Sequence, residues 1–155
     1  MADILREAAL WLEESGMPMW RQDELLPNSI TADVQSGLFF LAEYDGEPAG
    51  TIRYQLEDRL FWPDVPQDDS AFTHRLAVRR RFAGGDVSSA LLLWAIARTD
   101  KLGRRYLRLD CEASRRRLQA LYERLGFRFH SNRQVGPYYV SRYEFDLLEI
   151  HGRAC

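Results

Sequence analysis

The stretch Leu76-Ala77-Val78-Arg79-Arg80-Arg81-Phe82-Ala83-Gly84-Gly85-Asp86-Val87-Ser88-Ser89-Ala90-Leu91 carries the residue types needed to hold a phosphorylated ligand. It runs from a strand pattern through glycines into a helix pattern. A helix N-terminus leaves about four backbone N–H groups without intrahelical acceptors, and the helix dipole places partial positive charge there. Glycines ahead of it let the backbone approach a phosphate closely. Ser88 and Ser89 add hydroxyls in the first turn, and three consecutive arginines upstream supply charge. The spacing also fits a plain turn beside a solvated arginine run, with Asp86 as the helix N-cap.

Other residues could move protons. His74 alternates with Leu76 and Val78, so its side chain shares their strand face. An imidazole there is either a base near neutrality or a structural histidine. Asp110 and Glu112, in a neighbouring strand pattern, are the next bases to consider. Tyr122 sits among Leu118, Leu121 and Leu125 at helical spacing, the pattern of a core tyrosine. The loop from Glu57 to Asp69 holds five carboxylates against one arginine, with Phe61-Trp62 adjacent. That composition suits either a solvated acidic loop or capture of a cationic amine through Asp58 and the Trp62 ring.

Several elements must position these residues. Ile4, Leu5, Ala8, Trp11 and Leu12 form one face of a helix over Ala2 to Ser15, and a short helix follows Asn28-Ser29. No clear strand precedes the first helix. Leu38 to Tyr44 and Pro48 to Glu57 read as a hairpin about Asp45-Gly46, whose residue types accept positive φ. Phe61 to Ser70, with Pro63 and Pro66, reads as a loop, and Ala71 to Val78 as a strand. Then come a helix from Val87 to Leu102, a strand from Tyr106 to Glu112, a helix from Ser114 or Arg115 to Gly126, and strands near Phe127 to His130 and Tyr138 to Leu147. The order predicts a mixed α/β sheet in one domain over residues 1–155.

Leu76-Ala77-Val78, the Arg-Gly turn, the helix, Leu107-Arg108-Leu109-Asp110-Cys111 and Leu121-Tyr122-Glu123-Arg124-Leu125-Gly126-Phe127 together resemble the GNAT N-acetyltransferases in order and spacing. The resemblance implies a mostly antiparallel central sheet with one splayed parallel strand pair and flanking helices. It also implies acetyl-CoA as co-substrate. The pantetheine arm would follow the backbone of Leu76 and Val78. The pyrophosphate would sit on Gly84, Gly85, Asp86, Val87, Ser88 and Ser89. Tyr122 maps to the usual proton donor to the departing thiolate. The glycine signature is degenerate: Ala83 stands where a basic residue is usual, Asp86 and Ser88 replace the two signature glycines, and Arg115 replaces an asparagine. Arg81 is placed to supply the missing charge, and Arg115 remains a cofactor-side residue.

The implied reaction moves acetyl to an amine, of a small molecule or of a peptide or protein, by direct attack in a ternary complex. The alternative is a catalytically inactive acyl-CoA-binding module of the same fold. A nucleotide-binding domain fits less well, because the chain has no long glycine fingerprint and no P-loop Lys-Ser/Thr. The three histidines and two cysteines have no metal-ligand spacing, so no metal is expected. A net charge of -2 gives no reason to expect nucleic acid, and no apolar run spans a bilayer. The first residues lack the layout of a signal peptide, and Cys111 and Cys155 make no disulfide framework; both point to the cytoplasm. The fold admits a homodimer, which no residue here establishes.

Overall fold

The computed structural model describes residues 38–82 and 85–149. The two N-terminal helices expected above lie outside them, as do Ala83 and Gly84. Strands β1 (Phe39–Tyr44), β2 (Glu47–Gln55) and β3 (Ser70–Val78) lead through a 3-10 turn at Arg80–Phe82 to helix α1 (Val87–Lys101). Strand β4 (Tyr106–Glu112), helix α2 (Arg116–Leu125) and strands β5 (Arg128–Val135) and β6 (Tyr138–Asp146) complete the order. The strands form one mixed sheet in the order β1-β2-β3-β4-β6-β5. Contacts divide the chain into two compact units, one of Met1–Tyr54 with Arg75–Leu91, the other of Gln55–His74 with Leu92–Cys155.

In the first unit, β1 and β2 pair antiparallel about Asp45 and Gly46, whose φ values are 51° and 79°. A two-residue turn with both φ positive matches strand twist, which is why Asp-Gly stands there. Phe39, Ala49, Ile52, Tyr54, Ala77 and Leu91 are buried in this unit. Gly50 is required by close approach. A Cβ added there would lie 2.9 Å from the Ala77 carbonyl oxygen, 2.9 Å from Val87 Cγ1 and 3.2 Å from Leu91 Cδ1. The missing side chain lets β2 meet the first turn of α1 and the end of β3.

In the second unit, β3 pairs parallel with β4 from Ser70↔Tyr106 to Thr73↔Leu109. The ladder stops there, although β3 continues to Val78 and β4 to Glu112. Arg75, two residues beyond the last pair, has φ 52°, a left-handed conformation that is uncommon for a long side chain within a strand. It interrupts the alternation assumed for His74, Leu76 and Val78, so the shared-face argument does not carry across it. β4 and β6 pair antiparallel along their lengths, and β5 covers β6 as the edge strand. β5 runs to Val135, beyond the His130 limit expected from sequence. Its later residues, Ser-Asn-Arg-Gln, are polar because they lie on an exposed edge, and pairing with β6 rather than apolar alternation makes them a strand.

Candidate functional site

The first unit contains the turn into α1. The Arg79 N–H donates to the Ala49 carbonyl at 2.8 Å, and the Phe82 N–H closes the 3-10 turn on Arg79 at 2.9 Å. The Gly85 N–H donates to the Phe82 carbonyl at 3.3 Å, so this amide is engaged within the turn. The first helical bond at this end runs from the Ala90 N–H to the Asp86 carbonyl, 2.8 Å. The amides of Val87, Ser88 and Ser89 precede it and have no acceptor within the helix. The Asp86 side chain is exposed and makes no hydrogen bond to a described residue, so it does not cap these amides. No acidic residue occupies the first turn of α1. Ser88 and Ser89 are half-buried beside these amides. Arg81 is exposed, pairs with Glu47 and lies 4.8 Å from the Phe82 ring centroid. Such a surface pair is weak enough to exchange for a phosphate. Leu76 and Val78 are half-buried on the part of β3 that follows Arg75.

The second unit contains a histidine between two carboxylates. His74 Nε2 is 2.5 Å from Asp58 Oδ2, and Nδ1 is 3.6 Å from Asp110 Oδ2. The three come from the loop before β3, from β3 and from β4. The loop is braced from inside: the Gln67 side chain accepts from the Asp58 N–H at 2.7 Å and donates to the Trp62 and Val65 carbonyls at 2.8 and 3.1 Å. The Phe61 N–H holds the other Asp58 oxygen at 3.0 Å, and the Phe61 ring lies 5.4 Å from the imidazole. Burial pulls the Asp58 carboxyl upward in pKa. The His74 hydrogen bond and charge, with the Phe61 and Leu60 amides, outweigh it and leave Asp58 more acidic than usual. Asp110 behaves in the opposite way. Burial pushes it up to about 6, with His74 easing the rise and the Asp58 charge adding to it. Its Oδ2 is buried, and the buried Trp62 indole N–H joins His74 in holding the carboxyl's pKa down.

One ligand atom from each of Asp58, His74 and Asp110 lies within 4.8 Å of the others, the donor set of a small cation site. Sequence spacing could not show it, because the residues are far apart along the chain. The short carboxylate–imidazole bond is equally the geometry of a proton-carrying pair.

Two expectations for the acidic loop change. Trp62 is fully buried, with the Arg142 and Arg108 guanidiniums 4.6 and 5.2 Å from its ring, so its π face is already occupied and does not receive an acceptor. Arg142 also grips Asp64 through both nitrogens, at 2.7 and 3.0 Å, and donates to the Phe61 carbonyl at 3.1 Å. Trp62 and Asp64 therefore anchor the loop. Asp58, 5% exposed, faces His74 rather than solvent.

α2 places Tyr122. The helix ends because Gly126, at φ 105°, turns left-handed, and the Phe127 N–H returns to the Tyr122 carbonyl at 3.0 Å. Tyr122 is buried, packed against Phe127 and Tyr143 with ring centroids 6.0 and 5.6 Å away. Burial, with the charges of Cys111 and Asp110, raises its phenol well above the ordinary tyrosine value and keeps it protonated at neutral pH. Its hydroxyl makes no hydrogen bond to a described residue. Arg115 opens α2: its carbonyl accepts from the Gln119 N–H at 3.2 Å, and no side chain caps the helix.

Comparison with known proteins agrees with this arrangement. The acetyltransferase (GNAT) family model matches residues 5–127. The uncharacterized N-acetyltransferase YesJ of Bacillus subtilis (strain 168) is 32% identical over 135 residues, covering 81% of this chain and 73% of that protein. A GNAT acetyltransferase from Listeria monocytogenes 4b F2365 superposes with a TM-score of 0.72 at 26% identity, covering 92% of this chain and 86% of the other. The PaiA N-acetyltransferase of Thermoplasma acidophilum, solved with coenzyme A, shares the fold at TM-score 0.72 and 18% identity, covering 94% of this chain and 89% of that one. The matched span takes in every element from β1 to the end of α2, and the chain therefore belongs to the GNAT family and is an acyltransferase.

Proposed function

We propose that the protein, acting as one domain, transfers acetyl from acetyl-CoA to the primary amine of a small molecule, peptide or protein. The observation that carries this reading is the uncapped start of α1. Three amides and two serine hydroxyls stand at the positive end of a fifteen-residue helix, with no acid in its first turn. Those amides are the seat for the pyrophosphate of CoA, and Arg81 supplies countercharge on leaving Glu47. The backbone of Asp86 extends the seat. The pantetheine arm follows the backbone of Leu76 and Val78. Arg115, at the open end of α2, is a second cationic contact for the coenzyme.

The chemistry needs a neutral amine and a leaving thiolate. An alkylammonium, titrating near 10, must first lose a proton. His74 accepts it and the imidazolium is held by Asp58. The amine lone pair forms the C–N bond to the acetyl carbon. The C–S bond breaks, its electrons stay on sulfur, and the Tyr122 hydroxyl donates the proton that yields the free thiol. The new amide nitrogen gives up its remaining excess proton to solvent, and the imidazolium and phenolate exchange a proton, so each turnover releases one proton. A free buried thiol at Cys111 fits a reducing cytoplasm. Among the described residues no helix is long and apolar enough to cross a membrane.

The test is a panel of amines assayed for thiol release, with product mass, for the native chain and Tyr122→Phe. An acetylated amine, with a native rate roughly a hundredfold above the variant at equal CoA affinity, is expected. CoA binding without turnover across the panel would make the protein an inactive module, and no CoA binding would reject the family's cofactor for this chain.

A further inference from the structure

We infer that His130 is a positioning residue that works only while neutral: it closes over Trp62 and locks the loop that holds Asp58 against His74, and on protonation it lets go. The inference rests on the acetyl-transfer reading in one respect, that His74 is the base.

A count of hydrogen bonds fixes the proton. His130 is the extra residue of β5 where its pairing with β6 shifts register between Phe129 and Ser131. A bulge re-aims side chains, and here the imidazole and the Ser131 hydroxyl come together. His130 Nδ1 lies 2.7 Å from Ser131 Oγ. The same oxygen accepts from Arg142 Nε at 3.0 Å and from its second terminal nitrogen, Nη2, at 2.7 Å. A hydroxyl has two lone pairs and one hydrogen, and a guanidinium can only donate. Both lone pairs are taken by Arg142, so the Ser131 hydrogen points at Nδ1. His130 is therefore an acceptor at Nδ1 and carries its proton on Nε2.

Direct contacts join that state to the base, all within the second unit. The Arg142 side chain, 3% exposed, donates to the Phe61 carbonyl and grips Asp64. The Phe61 N–H holds Asp58, and Asp58 bonds His74. The His130 ring packs on Trp62, with centroids 5.1 Å apart and planes at 64°. It helps to seal an indole that already has the Arg142 and Arg108 guanidiniums beside it.

A proton on Nδ1 breaks this arrangement. It aims a third donor at an oxygen with two lone pairs, and it sets a third cation beside Trp62. The charged groups facing His130 are Glu144 and Arg142 on β6, Arg108 on β4 and Asp64 in the loop. Glu144 pairs with Arg108 and Asp64 with Arg142, so the pull of either carboxylate on an imidazolium is largely offset. Loss of water on the Trp62 side works in the same sense and lowers the His130 pKa. Arg142 is buried and tied to Asp64 and Phe61, whereas His130 is exposed, so the imidazole is the partner that leaves. Its departure uncovers Trp62 and loosens the loop around Asp58.

The experiment follows nitrogen-15 signals of the full-length protein from pH 8 to pH 5: the His130 ring, the Trp62 indole N–H and the Phe61 amide. We expect an Nε2–H tautomer at pH 8 and a His130 midpoint below the ordinary histidine value. The Trp62 and Phe61 signals should move with that same midpoint. Ser131→Ala should raise the midpoint by roughly half to one pH unit. His130→Asn keeps an acceptor and cannot titrate, so it should match the native rate of acetyl transfer at pH 8. It should exceed the native rate at least twofold below the His130 midpoint, because a ratio of rates cancels the titration of His74 itself. An Nδ1–H tautomer, Trp62 and Phe61 signals indifferent to His130, or a rate ratio independent of pH would overturn the inference. The tautomer and the three titrations need no variant, coenzyme or acceptor, so a variant that fails to fold leaves a decision in hand. Absence of turnover from every amine strikes the acetyl-transfer reading alone.

Discussion

Replacing Asp110 with asparagine should make the protein more stable at neutral pH, by an amount that shrinks in acid. The native fold raises this carboxyl from 3.8 to about 6, chiefly by burial. Between those values the folded state holds a proton that the unfolded chain has released, so stability falls as pH rises through the interval. Below about pH 4 the penalty is absent, and above about pH 6 it is complete. A rise of roughly two pH units, at 1.36 kcal/mol per unit, amounts to about 3 kcal/mol. Asparagine keeps the shape and carries no charge, so it escapes the penalty, while its amide adds an offset of about 1 kcal/mol that does not change with pH. Urea denaturation of both proteins at intervals from pH 4 to pH 8 measures the difference. The gap should widen by about 3 kcal/mol from pH 4 to pH 7 and then stay level. A gap independent of pH, or one that narrows as pH rises, would refute the argument that burial strains this carboxylate.

Gly50→Ala should destabilise the fold by about 1–3 kcal/mol, because the new methyl would meet the Ala77 carbonyl oxygen at 2.9 Å and backbone cannot yield as a side chain can; a lower urea midpoint reports it. Asp64→Asn should lower stability at pH 7 by on the order of 1 kcal/mol, discounted because the carboxylate is 44% exposed. The Arg142 hydrogen bond holds the Asp64 carboxyl down to about 2, so its contribution is present above about pH 4 and lost as pH falls through 2. Denaturation curves of native and Asp64→Asn proteins should therefore converge in strong acid.

Those predictions depend on residues of unequal legibility. Asp45-Gly46 was readable because few residues accept positive φ, and the observed 51° and 79° meet that demand. The same holds for the α2 stop, where Gly126 is left-handed at 105° and both sequence pattern and family motif converge. The parallel pairing of β3 with β4 is what the family resemblance implies, while element order alone reaches only a mixed sheet. β5 was only half legible, since an exposed edge strand lacks the apolar alternation that marks its partners. The His74 cluster was not legible at all as a cluster. Its carboxylates come from a loop and from another strand, and only folding joins separations that no local pattern encodes. Trp62 misleads for a related reason: an aromatic in an acidic loop looks like a surface platform until Arg108 and Arg142 are seen to cover it. The kink at Arg75 is likewise invisible, because nothing in the residue type announces φ 52°.

The most direct measurement of the central claim is the response of the α1 amides to coenzyme. In nitrogen-15 correlation spectra, titration with CoA should move the Val87, Ser88 and Ser89 signals saturably, while pantetheine, which lacks the pyrophosphate, should leave them in place. Unmoved signals at saturating CoA, or equal shifts with pantetheine, would contradict the claim that this helix start binds the coenzyme.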